Sequence, residues 1–405
     1  MIHTDLLIVG GGIVGLSIAR ELNNRYSDLS ITIVEKESDL ACHASGRNSG
    51  VLHAGFYYSP DSLKAKFTAE GNALLTEYCL KHALAINRCG KIVVARDENE
   101  LEGIFELKRR GDKNGVALEV IDEKRLEELE PNARTFSKAL YSPATSVVNP
   151  KEVVRHVAQN LPKNVRILFN EKFIRRVDSH SITTTSQKIK FKYLINAAGA
   201  YSDKIAHQFG IGKKYTLIPF KGLYMEYKDS NLIQKHIYPV PNLKNPFLGV
   251  HFTRTVTGKV KIGPTAIPAF WRENYQGLSN FRLDEFLEIM YREAKLFFLN
   301  SFHFRELAFE EMKKYNRNYF IQQSTYLVKK IDVNNFGDYL NPGIRAQLLD
   351  IEKMKLEMDF VAEHGENSTH ILNAVSPAFT SAFSFSKYIV DQVENKAGLA
   401  ARGKI

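Results

Sequence analysis

Leu6-Leu7-Ile8-Val9-Gly10-Gly11-Gly12-Ile13-Val14-Gly15 lies at the start of the chain and decides how its first structural unit must be built. Four apolar residues in a row read as a short strand buried on both faces, as in a parallel sheet. Glycines at 10, 12 and 15 match G-x-G-x-x-G, and the pattern predicts a helix from Ile13 to Asn24. Ile31-Thr32-Ile33-Val34 predicts a second buried strand, with Glu35 at its end. Strand, glycine turn, helix, strand and acid together make the dinucleotide-binding βαβ unit. Gly10 permits the tight turn, Gly12 lets the backbone approach a pyrophosphate, and Gly15 lets helix and sheet pack closely. Ile13 and Val14 begin the helix, whose N–H groups and positive dipole end face the phosphates. Glu35 can accept both ribose hydroxyls and would repel a 2′-phosphate. At this point FAD and NAD both remain open.

Outward from this unit, Cys42-His43-Ala44-Ser45-Gly46-Arg47-Asn48-Ser49-Gly50 is small, polar and glycine-rich. Such a loop can run under an extended cofactor and meet it through its backbone, which favours a flavin dinucleotide. Helices are predicted over Asp61–Lys81, from Asp97 to Asn114-Gly115, over Lys151–Asn160 and over Leu283–Leu299. Phe302–Lys330 also reads as helical, and a last helix is predicted from Pro377 to Glu394. Lys91–Arg96 and Tyr193–Gly199 read as strands. Between Tyr215 and Pro268 the texture changes to short alternating strands broken by Pro, Gly and Asn, which predicts an antiparallel sheet. The fold class expected is therefore α/β: a Rossmann-like βαβ domain interleaved with an antiparallel-sheet substrate domain. The boundaries expected are 1–85, 141–214 and 335–405 for the first and 86–140 and 215–334 for the second.

Composition narrows the function classes. At 405 residues the chain is long enough for two domains, and 44% apolar with 25% charged residues is typical of globular proteins. No run of 18 apolar residues occurs, so no membrane-spanning helix is expected. The charged, strand-forming start leaves no room for a signal peptide, which points to the cytoplasm. Three cysteines without a CxxC pair argue against a disulfide framework or a metal knuckle, and no metal is expected. The net charge of +10 is spread along the chain among 45 acids, a poor match for nucleic-acid binding.

Several further blocks in order carry a resemblance. They are Ser45–Gly55, Tyr57-Tyr58 with Ser62–Lys66, Cys89-Gly90-Lys91, Val250–Arg254, Ile262–Ala266, Gly343–Gln347 and Asn373–Ala378. Over nearly its whole length the chain resembles the D-amino-acid-oxidase-like flavoproteins, and within them the L-2-hydroxyglutarate oxidases and dehydrogenases. Lys221 departs from the family, which more often has Arg there, and Asn149 stands where Asp is usual.

The resemblance implies noncovalent FAD and hydride removal from the α-carbon of an L-2-hydroxy acid. It implies cofactor contacts at Lys36, Ser45, Gly46, Arg47, Asn48, Ser49, Ala198, Gly199, Gly343, Ser376 and Pro377, besides the glycine turn and Glu35. Such chemistry needs a base near the hydroxyl, cations for carboxylates and a dry pocket. His53 is the first candidate for the base and His251 the second. Arg254, Arg345 and Lys64 are the candidate cations, with Tyr57 as a further substrate contact. The electron acceptor expected is oxygen or a membrane quinone, the latter with peripheral contact at the inner membrane face. Competing readings are an amino-acid or N-methyl-amine oxidase, a flavoprotein acting on RNA, and a flavin-dependent sensor.

Overall fold

A computed structural model describes residues 1–242 and 247–399. The chain divides into two compact units. Met1–Asn48, Pro150–Ile218 and Arg345–Ile405 form the first, and Ser49–Asn149 with Pro219–Ile344 the second.

In the first unit, strand Ile2–Val9 lies between two parallel neighbours, Ile31–Val34 and Lys188–Asn196. Val165–Leu168 extends the sheet beyond Ile31–Val34, also in parallel. The far edge of Lys188–Asn196 pairs with Ser181–Thr184 antiparallel and, further along, with Ser368–Asn373 in parallel. Leu6, Leu7, Ile8 and Ile33 are fully buried or nearly so, as their unbroken apolar runs require. Helix Ile13–Arg25 begins three residues past the first strand. Arg25 at its C-terminal end binds Asp391 and Glu394 of the last helix, Ala382–Ala397.

The second unit is built on an eight-stranded sheet. Its order is Phe336–Tyr339, Met225–Tyr227, Val260–Gly263, His251–Arg254, His236–Pro239, Lys91–Val94, Lys138–Ser142 and Glu119–Asp122. The expected antiparallel pairing holds except at one seam, where His236–Pro239 runs parallel to Lys91–Val94. Strand alternation gives the sheet two distinct faces. Ile92, Val94, Met225, Ile237, Phe252 and Ile262 share an apolar core on one of them. Lys91, Tyr238, His251 and Lys261, out of phase with those residues, belong to the other.

Three expectations need correction. Residues 49–85 and 141–149 belong to the second unit: Val51–Leu52 pairs with Ser146–Val148, and Asn72 Nδ2 donates to the Leu52, His53 and Ala144 carbonyls. Residues 335–344 also fall there, because Phe336–Tyr339 joins its sheet, whereas residues 215–218 fall in the first unit. Phe302–Lys330 is two helices, Phe304–Lys313 and Arg317–Thr325, since the Asn316 side chain caps the second by accepting from Asn318 and Tyr319 N–H. The last helix starts at Ala382, not Pro377. The residues before it form turns in which Ala378 N–H donates to Val375 O and Ser381 N–H to Pro377 O.

Helix Leu283–Leu299 matches its predicted span and carries a buried acid, Glu293. Its Oε1 has no hydrogen-bond partner among the described residues, and burial pushes the carboxyl up to about 8. The folded chain therefore holds a proton that the unfolded chain releases near the ordinary carboxylate pKa. Stability from this group is full in acid and is lost as pH rises through about 8. Glu293→Gln should flatten that dependence, with a relative gain on the order of 3 kcal/mol between pH 5 and 8. Thermal melts of both proteins across that range provide the check.

Candidate active site

The first unit supplies a cradle. Gly10 has φ +110°, and a Cβ there would stand 2.5 Å from the Ala197 carbonyl oxygen. At Gly15 a Cβ would come within 2.1 Å of the Gly10 oxygen, so the helix can begin this close to the strand only without one. Gly12 differs: a Cβ would meet nothing but the Ser45 hydroxyl, at 3.0 Å. Open space thus lies over the helix N-terminus, where Ile13 N–H donates to Ser45 Oγ and Val14 follows in the first turn. Glu35 is pinned at its strand end, Oε2 accepting from Gly11 N–H at 2.9 Å and Oε1 from Glu37 N–H at 3.0 Å. Each oxygen keeps a second lone pair for a ribose hydroxyl.

Loop side chains hold the loop itself. Arg47 Nε donates to Cys42 O at 2.6 Å, and Asn48 Nδ2 donates to the Ala44 and Ser45 carbonyls. Gly46 is obligatory, since a Cβ would lie 2.0 Å from the Ala41 oxygen. The Lys36 ammonium is bound to Glu37 and lies 2.8 Å from His43 Nε2. On the neighbouring strand Ala197 N–H donates to Val9 O, Ala198 N–H to Asn196 Oδ1, and Gly199 has φ +56°. These residues fit a dinucleotide. Ser376 and Pro377 lie five or more residues ahead of the last helix, so that helix does not present its N-terminus there. Ser49 and Gly343 belong to the second unit.

The second unit sets His53 beside a lysine that sequence reasoning passed over, and stacks His251 on the tyrosine next to that lysine. His53 follows strand Val51–Leu52, and its Nδ1 lies 3.3 Å from the Nζ of Lys91. Lys91 is fully buried, 4.1 Å from the centre of the Tyr238 ring, 5.0 Å from Tyr57 and 5.6 Å from Phe56. Burial pushes its ammonium down to about 7. His251 stacks on Tyr238 with ring centres 3.6 Å apart, and its Nδ1 lies 2.7 Å from the Gly249 carbonyl. A carbonyl only accepts, so Nδ1 carries the hydrogen and Nε2 presents a lone pair. Among the described residues the buried Tyr57 hydroxyl has no hydrogen-bond partner, an arrangement that costs about 1–3 kcal/mol unless a ligand fills it. Lys91 stood in a quoted block, and its one legible signal was a charge opening an otherwise apolar strand, Lys91-Ile92-Val93-Val94.

The proposed cations are scattered. Arg254 Nη1 donates to the Ser230 and Ile233 carbonyls, and its side chain shares the Phe252 face rather than that of His251. Arg345 is half-buried within strand Gly343–Asp350 and lies in the first unit. Lys64 is buried on helix Leu63–Lys81, with Nζ 6.0 Å from the Tyr58 ring centre. Two other lysines match the need better. Lys221 is buried with its ammonium pushed down by burial, and no ion pair is found for it among the described residues. Lys261, on the His251 face of the sheet, is pushed down to about 8, also by burial.

The contrast between Gly12 and Gly15 is testable. Gly12→Val should fold and melt like the cofactor-free protein yet stay colourless, because the side chain fills the phosphate space. Gly15→Val should lose roughly 4 kcal/mol or more and fail to accumulate. Visible absorbance and melting of the purified variants decide both.

Known proteins agree with this geometry. The sequence pattern of the FAD dependent oxidoreductase family matches residues 5–307. L-2-hydroxyglutarate dehydrogenase, mitochondrial, from Homo sapiens is 36% identical over 97% of this chain and 89% of its own length. The protein of that name from Nematostella vectensis is 34% identical, covering 97% and 91%. Among solved structures, reduced L-α-glycerophosphate oxidase from Mycoplasma pneumoniae with FAD bound aligns at TM-score 0.75 and 23% identity, over 97% of this chain and 95% of that one. Glycine oxidase from Geobacillus kaustophilus aligns at 0.71 and 16%, over 98% and 96%. Glycine turn, pinned acid, shared sequence and shared architecture lead to one conclusion: the chain belongs to the FAD-dependent oxidoreductase family.

Proposed function

We propose that this enzyme oxidises L-2-hydroxyglutarate to 2-oxoglutarate, with FAD held noncovalently. The observation that carries the reading is the buried array of His53, Lys91, Tyr238 and His251, set on a sheet face that also bears Lys261. Likeness to curated L-2-hydroxyglutarate dehydrogenases over nearly the whole chain supports it.

When bound, FAD accepts the hydride from the substrate α-carbon. His53 takes the hydroxyl proton, its backbone carbonyl held by Asn72 Nδ2 at 3.1 Å. His251, fixed by Gly249, offers Nε2 as an acceptor that orients the hydroxyl. Lys221 and Lys261 meet carboxylates, with Lys64 and Arg345 as further candidates. Arg254 is withdrawn from that role because its guanidinium already holds carbonyls on the opposite face. An amino-acid substrate would bring its own ammonium to a dry region already carrying lysines, which like-charge repulsion disfavours. A second carboxylate instead compensates a second buried cation.

The acceptor for the electrons is oxygen or a membrane quinone. Exposed Leu283, Leu287 and Tyr291, at intervals of four on one helix, favour contact with a lipid surface, and the net charge of +10 favours an anionic one. Flotation with anionic vesicles but not neutral ones is expected, and Leu283→Ser with Leu287→Ser should abolish it.

Anaerobic bleaching of the flavin tests the activity itself. L-2-hydroxyglutarate should bleach it far faster than L-lactate, the D-enantiomer or any amino acid, and acid denaturation should release intact FAD. His53→Ala should keep its FAD and slow bleaching by about 10²–10⁴-fold. Lys261→Met should weaken binding of the diacid by about 2 kcal/mol or more, whereas Arg254→Met should leave it unchanged. Equal rates with lactate or with amino acids would reassign the substrate.

A further inference from the structure

We propose that Lys91, acting through His53, is where the substrate hydroxyl proton comes to rest. As the substrate O–H bond breaks, its proton passes to His53 Nε2 while the His53 Nδ1 proton passes to the Lys91 amine. The electron pair of the α-C–H bond leaves with the hydride to the FAD of the holoenzyme, and the oxygen becomes the new carbonyl. Lys91 ends as an ammonium and loses its proton to solvent before the next turnover. The inference rests on the activity proposed above.

Placement carries it first. Lys91 Nζ lies 3.3 Å from His53 Nδ1, a distance that a small shortening turns into a good hydrogen bond. Its backbone is fixed from both sides, in register with His236 on one strand and Ser142 on the other. The groups facing it are His53, Phe56, Tyr57, His236, Tyr238 and Ser142, with Cys89 two residues before it. None of these is a carboxylate. Among the described residues, three aromatic rings, the imidazole and the Cys89 sulfur are what compensates the ammonium, and no carboxylate joins them. Buried His236 is held neutral, pushed down to about 3 by burial and by nearby Lys91, Lys261 and Arg254. A structural lysine would have an acid beside it or a head group in water. Lys91 has neither.

Chemistry follows from the tautomers. With Lys91 charged, Nζ donates to His53 Nδ1, the imidazole hydrogen sits on Nε2, and that nitrogen cannot take the substrate proton. With Lys91 neutral, Nδ1–H donates to the amine and Nε2 presents its lone pair. Burial brings this exchange close to neutral pH, at about 7. His53 is therefore a competent base only above that point, and Lys91 is the group that makes it so.

The test uses the FAD-loaded enzyme and rapid-mixing flavin reduction by L-2-hydroxyglutarate across pH 5.5–9.5. Wild type should show a rate that rises through an inflection near pH 7. Lys91→Met should keep its FAD and its apparent substrate affinity, drop the limiting rate on the order of 10²-fold, and lose that inflection. If the methionine variant fails to fold, Lys91→Gln serves in its place. In Lys91→Ala, small primary amines should restore the rate, more basic ones faster at equal concentration of neutral amine. An unchanged inflection in the variants, or rescue indifferent to amine basicity, would overturn the relay. Nitrogen NMR of the His53 ring without substrate should show the hydrogen moving from Nε2 to Nδ1 as pH rises through about 7, and no such move in Lys91→Met. That spectrum separates the two ideas. A wild type indifferent to every 2-hydroxy acid yet showing the switch refutes the substrate, and one that turns over without the switch refutes the relay.

Discussion

Taking an ammonium group completely out of water costs several kcal/mol unless something replaces its hydration. Proteins usually supply a carboxylate, but the second unit gives Lys91 rings and an imidazole instead. Lys221 and Lys261 are disfavoured as cations in the same way, both by burial. A region built so is poorly satisfied by itself. An anionic substrate relieves it, and the orphaned Tyr57 hydroxyl adds a further unmet need. In the proposed mechanism, desolvation without internal compensation is what lets a modest set of side chains select a dicarboxylate and tune a base.

The first unit works by the opposite device. Apart from the Glu35 carboxylate that accepts from Gly11 N–H, its glycine turn depends on atoms that are missing. A Cβ at Gly10 or Gly15 would collide with backbone oxygen, whereas at Gly12 it would enter open space above the helix N-terminus. The first two glycine requirements are those of the fold and the third is that of the ligand. Glu35, held by two backbone amides, fixes where the ribose end must lie.

Much of this was legible in the sequence, for identifiable reasons. Strand Ile31–Val34 and helix Leu283–Leu299 match their predicted spans because an unbroken apolar run and a clean amphipathic stripe each admit one structure. Asp97 capped its helix as read, accepting from Asn99 and Glu100 N–H. The last helix was placed too early because a Ser-Pro pair suits a helix start and also a chain of turns, which local propensity cannot separate. Arg254 was misjudged although strand parity could have corrected it. It lies three residues from His251, an odd interval, and the two side chains must point to opposite faces. Lys91 was beyond reach in a different sense. Its meaning lies in what surrounds it, and those neighbours come from residues 53 to 57 and from 236 to 238. No periodicity encodes that encounter.

The two histidines differ in what their Nδ1 touches, and this sorts their roles. His251 faces a backbone carbonyl, which can never release a proton, so its tautomer is constant. His53 faces an amine that can be either donor or acceptor. Tyr238 ties the pair together, stacked on His251 and lying 4.1 Å from Lys91 Nζ. The two neighbours share one ring, so positive charge on either raises the cost of charge on the other. In the proposed mechanism His251, with its hydrogen on Nδ1, keeps Nε2 as the acceptor that aims the hydroxyl, and His53 removes the proton.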